Sequence, residues 1–152
     1  MAGTAMDEAR LVEATEYAPL DWDRARMQWE EARALIQMGR FGEARSVLTE
    51  AAGKFNISKD KAKRRLESLK LEIAALKSNT QIELKKIEQD SESARLKAST
   101  KRRLEAALPR IDEIISSMNS AFDAQEYLRS RMAGQDALRY MQDLHMRLGI
   151  DQ

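Results

Sequence analysis

The chain has 152 residues, 43% hydrophobic and 34% charged but only 5% aromatic, with two prolines and six glycines. That balance suits one helical domain with a thin core and a large surface, and it disfavours sheet folds, which need many tight turns. The absence of cysteine excludes disulfides, thiolate catalysis and cysteine-ligated zinc.

No apolar run approaches the ~20 residues needed to span a bilayer. The stretch from Met1 to Glu8 lacks the basic start and apolar core of a signal peptide. A soluble chain is therefore expected, or equally the mature part of an exported one. Net charge is +1, yet the charges are segregated. Residues 1–53 carry 6 basic and 10 acidic groups, residues 54–110 carry 16 and 8, and residues 111–152 carry 4 and 7. An acidic–basic–acidic chain can satisfy itself by folding back or dimerising, or it can present its middle to an anionic partner.

The first predicted helix covers residues 4–17, with Thr4 or Asp7 as its cap and Ala5, Ala9, Val12 and Glu16 at helical spacing. Ala18-Pro19 ends it, because the residue before proline avoids the helical region. A second helix begins near Asp21 as N-cap, and Trp22, Ala25, Trp29, Ala32, Leu35 and Ile36 form its apolar stripe. Gly39 suits the left-handed position that closes a helix. A third helix over 41–55 buries Phe41, Ala44, Val47, Leu48, Ala51, Ala52 and Phe55. The short Met38-Gly39-Arg40 connection makes this pair antiparallel.

From Ser58 the pattern changes to a heptad seam of Ala62, Leu66, Leu69, Ile73 and Leu76. The same phase then meets Thr80, Glu83, Ile87, Asp90, Ala94, Lys97 and Lys101, so the seam decays before resuming at Leu104, Leu108, Ile111, Ile115, Met118 and Phe122. Residues 58–108 read as one continuous helix or as a hairpin, with Ser78-Asn79-Thr80 and Asp90-Ser91-Glu92-Ser93 as the hinge candidates. Pro109 either kinks this helix or opens the next one. The last stretch, residues 111–148, is helical with a weak point at Ala133-Gly134 and an end at Gly149. Met118, Met132, Met141 and Met146 enrich it in methionine, which suits core filling or adaptable binding.

Tyr17-Ala18-Pro19 followed by Trp22, Ala25, Trp29, Ala32, Gly39, Phe41, Ala44, Leu48, Ala51 and Phe55 resembles the core of a bacterial envelope family, domain of unknown function 4398. Gly39 to Ala44, with Leu48 and Ala51, also resembles the second helix of a tetratricopeptide repeat. The resemblance covers roughly a quarter of the chain and consists of packing positions: a glycine turn, an aromatic wedge and small alanines. It implies a helical hairpin in a periplasmic or cell-envelope protein, with a cytoplasmic location as the alternative. One repeat-like unit is visible, whereas solenoids need about three.

Chemistry finds few footholds in the sequence. His145 stands near the C-terminus with Asp143 and no other histidine, which reads as a surface residue rather than a base or ligand. Phosphate loops and nucleophile motifs are missing, so no catalysis, cofactor, metal or small-molecule substrate is expected. Lys59, Lys61, Lys63, Arg64 and Arg65 form one basic cluster, and Lys101, Arg102 and Arg103 another. They suit anionic lipid or an envelope polyanion. Nucleic acid is disfavoured because no aromatic residue between Phe55 and Phe122 is available to stack on bases.

The expectation is thus an all-α protein. A tetratricopeptide-like hairpin module over 1–57 precedes a long coiled-coil-like segment over 58–152 that folds back or self-associates. Leu66, Leu69, Ile73, Leu76, Leu104, Leu108, Ile111 and Ile115 form the candidate self-association seam. The function expected is that of a non-enzymatic scaffold or adaptor for a protein partner or a second copy. The alternative is a basic helical module on an anionic surface.

Overall fold

The computed structural model describes residues 1–150. The chain is all-α, with no strand among the described residues: α1 Ala2–Leu11, α2 Ala14–Tyr17, α3 Pro19–Gln37, α4 Phe41–Glu92, α5 Ala98–Asp123 and α6 Tyr127–Leu148. The chain divides into two compact units, Met1–Ser68 and Leu69–Gln152. Helix α4 runs without interruption through the boundary, so the third helix expected over 41–55 does not stop at Phe55. Gly53, Asn56 and Ser58 do not break it.

In the first unit, α1, α2, α3 and the beginning of α4 pack around small residues. Ala2, Ala5 and Ala9 on α1, Ala25 and Ala32 on α3, and Ala44, Ala51 and Ala62 on α4 are buried. Alanine leaves little volume between helix backbones, so the larger burial comes from Trp22 and Phe55. Their rings lie 5.2 Å apart at 60°, a tilted pairing that adds about 1 kcal/mol beyond simple burial. The helix expected over 4–17 is in fact two. Glu13 has φ +53, a left-handed strain of about 1 kcal/mol for a non-glycine residue, and this bend sets Ala14, Tyr17 and Ala18 into the core. The cap expected at Asp21 lies at Ala18, with Pro19 in the first turn. There proline loses nothing, because that N–H has no helical partner.

The α3–α4 turn forms as its glycine demands. Gly39 adopts φ +73, the Gly39 amide donates to the Ile36 carbonyl (3.0 Å), and the Arg40 amide donates to the Leu35 carbonyl (2.9 Å). These are the paired bonds of a Schellman closure. Two side chains assigned to the apolar stripes lie outside the core: Phe41 is 67% exposed and Ile36 43%. Both flank the turn, beyond the reach of the unit's packed layer.

In the second unit, the C-terminal part of α4 folds together with α5 and α6. Ile87 of α4, Leu104, Ala107 and Ile111 of α5, and Ala137 and Met141 of α6 form one buried cluster. Of the two hinge candidates, residues 78–80 remain helical, while α4 ends at Glu92 within the second. Thr80 is fully buried because its hydroxyl donates to the Lys77 carbonyl one turn back (2.9 Å), which removes the penalty of burying it. Pro109 lies inside α5 instead of opening a new helix. It deprives the Glu105 carbonyl of its bond, but both residues are on the exposed face, where solvent can reach that carbonyl.

The weak point expected at Ala133-Gly134 is not a break. The helix ends instead between α5 and α6, where Gln125 takes φ +62. The Gln125 amide donates to Phe122 (2.9 Å) and the Glu126 amide to Ala121 (2.8 Å). This is the same closure as at Gly39, made with a glutamine. Gly134 sits where α6 passes close to its neighbours. A Cβ there would lie 2.9 Å from Met118 Sδ and 3.1 Å from Leu76 Cβ.

Candidate functional site

The basic cluster of residues 59–65, well inside α4, is partly neutralised by its own unit. Lys59 Nζ donates to Glu8 Oε2 and Lys61 Nζ to Asp21 Oδ1, each at 2.7 Å. Lys63 and Arg64 are exposed and Arg65 is half-buried. The Lys59 hydrogen bond and charge hold the Glu8 carboxyl below its ordinary value, and Glu8 raises Lys59 in turn. Asp21 was expected as a helix cap. Its position in the first turn of α3 instead places its charge favourably at the positive end of the helix. The second cluster belongs to the other unit. Lys101 Nζ reaches the Glu92 carbonyl at 3.5 Å, and Arg102 and Arg103 are exposed.

The seam residues are packed inside the chain. Leu69, Ile73, Leu104 and Ile111 are fully buried, and Leu66, Leu76, Leu108 and Ile115 are half-buried. Leu108 and Ile115 rest against the cluster of Ile87 and Met141. A second copy of the chain could reach the buried members only if the unit opened. The seam also continues through the positions at which the heptad reads as lost. Thr80 and Ile87 are fully buried, and Glu83 and Asp90 are partly buried.

Those two carboxylates face His145. The histidine, expected on the surface, is 5% exposed. Its Nδ1 lies 3.9 Å from Glu83 Oε2 and its Nε2 3.5 Å from Asp90 Oδ2. Nε2 has no hydrogen-bond partner. Glu83 is itself anchored by Lys86 Nζ, 2.7 Å from Oε1. A cavity of about 400 Å³ adjoins the ring, lined by Glu83, Lys86, Gln89, Asp90, Gln142, His145 and Ile150. Spacing alone could not reveal this site, because Glu83 and Asp90 look like solvated charges until α6 folds onto them. The available signal was that 83 and 90, one heptad apart, share the phase of Ile73, Thr80 and Ile87.

Among the described residues no three His, Asp or Glu side chains are grouped to hold a metal ion, and no helix is long and apolar enough to cross a membrane. The outer surface carries a different feature. Ile36, Met38 and Phe41, 43%, 68% and 67% exposed, surround the α3–α4 turn. Arg40, between them, donates from Nε to Glu43 Oε1 at 2.7 Å, which draws its guanidinium toward α4. No protein-family model, curated protein or solved structure matches the chain.

Proposed function

We propose that the protein is a non-enzymatic helical scaffold or adaptor that docks another protein through the α3–α4 turn, at the bacterial envelope, where the resemblance of residues 14–55 would place it. The observation that carries this reading is the apolar knob of Met38 and Phe41, exposed beside Ile36. Aromatic residues and methionine are enriched at protein interfaces, and a rigid glycine-closed turn presents them with little ordering cost. Because Leu69, Ile73, Leu104 and Ile111 of the heptad seam are fully buried, the outer surface is favoured over the seam as the docking face.

The test is a photo-crosslinking residue placed at position 41 in cells, with position 30 on an exposed, charged part of α3 as control. The expected result is a discrete protein adduct at 41 that is absent at 30. Against the captured partner, Phe41→Ala should weaken binding about 30-fold, the scale of a hot-spot residue of ~2 kcal/mol. Equal labelling at 41 and 30 would refute the proposal. Lipid adducts at position 64 with none at 41 would replace it by the anionic-surface reading.

A further inference from the structure

A neutral imidazole carries one N–H and one lone pair. The His145 ring has a carboxylate at each nitrogen, Glu83 at Nδ1 and Asp90 at Nε2. In either tautomer, therefore, one lone pair of a nearly buried ring faces a negative oxygen at the edge of a half-open cavity. Such an arrangement calls for a positive charge on one side of the ring. Asp90 is the more open side, since its side chain is 33% exposed against 19% for Glu83 and Glu83 is already bonded to Lys86.

The distances are compatible with a transition-metal ion. Nε2 and Asp90 Oδ2 are 3.5 Å apart, too long for a good hydrogen bond. Two donors at ordinary Zn–N and Zn–O lengths on one tetrahedral ion lie about 3.4 Å apart. On the far side, Glu83 Oε2 lies 3.9 Å from Nδ1, beyond hydrogen-bond reach but near the place of the carboxylate that commonly receives the second ring N–H of a metal-bound histidine, and it would close onto that N–H once the ion binds.

We propose that His145 Nε2 and the Asp90 carboxylate ligate a divalent transition-metal ion such as Zn²⁺, with Glu83 as a positioning residue for the imidazole. Two protein donors leave the other positions to water. The site is therefore one of modest affinity, and it ties the end of α6 to α4. The charge of Lys86, partly answered by Glu83, opposes the ion and weakens it further.

The test titrates the purified chain with Zn²⁺ and, separately, with Co²⁺, reading the melting temperature and the visible spectrum of cobalt. The wild type should melt a few degrees higher in millimolar Zn²⁺, because an ion that binds only the folded state stabilises it by mass action. Cobalt should show tetrahedral absorption. His145→Gln and Asp90→Asn should each abolish both signals, and Glu83→Gln should weaken binding about tenfold or more. Asp90, on the open side of the ring, can be changed without emptying the core, so D90N decides the matter even where H145Q fails to fold. No rise in the wild type, or an undiminished rise in D90N, overturns the proposal.

Discussion

Exchanging one glycine for alanine at two helical positions should move stability in opposite directions. In a helix interior, glycine is about 1 kcal/mol less favourable than alanine. Gly53 lies within α4 on an exposed face, and a Cβ there would meet nothing within 4 Å. Gly53→Ala should therefore stabilise by about 0.5–1 kcal/mol. At Gly134 the same backbone gain is set against contact. The new carbon would lie 2.9 Å from Met118 Sδ, 3.1 Å from Leu76 Cβ and 3.3 Å from Leu76 Cδ1.

The sulfur could swing aside if it had room, but Met118 is 1% exposed, and the Met118 carbonyl is held by the Ser130 hydroxyl at 2.8 Å. Leu76 Cβ is fixed to its backbone and can retreat only if the helix does. Overpacking of this kind costs about 1–3 kcal/mol, so Gly134→Ala should destabilise by about 1 kcal/mol net. The two variants should then differ by about 2 kcal/mol, several degrees of melting temperature. Urea unfolding followed by helical circular dichroism measures both. A Gly134→Ala protein stabilised as much as Gly53→Ala would refute the claim that close approach, rather than flexibility, requires glycine at 134.

Two further outcomes follow from the first unit. Phe55 is fully buried against Trp22, so Phe55→Ala should cost about 3–5 kcal/mol, measured by the same unfolding curve. A loss below ~1 kcal/mol would show that this unit does not rest on the aromatic pair. The Lys59–Glu8 pair predicts a pH dependence with a definite sign. Glu8 is lowered in the folded state by the Lys59 hydrogen bond. Its contribution is complete above the ordinary carboxylate range and is lost as pH falls through the lowered folded value. Lys59 is raised by the same bond, so its contribution holds below the ordinary lysine range and fades as pH rises through the raised value. Lys59→Met should flatten both limbs of the melting temperature against pH, and superimposable profiles would show the pair to be inert.

Much of the fold is legible in residue pattern because helices are local. Alanine, leucine and charged residues at three- and four-residue spacing form helix wherever nothing interrupts them. Gly39 closes its turn because only a residue without Cβ takes φ +73 cheaply, and the polar cluster at residues 90–93 ends α4. The turn at Gln125 left no such mark. A glutamine there bears the left-handed strain because the bonds to Phe122 and Ala121 and the packing of two helices compensate it. Sequence likewise records polarity but not burial. Thr80, Glu83 and Asp90 read as the decay of a seam, and His145 as a surface residue, because their partners lie on another helix or, for Thr80, one turn back in its own. Tertiary packing alone joined the histidine to its carboxylates. A charge or imidazole tolerates a buried position only when an oppositely suited group arrives with it, and α6 brings His145 to Glu83 and Asp90 only once the second unit has closed.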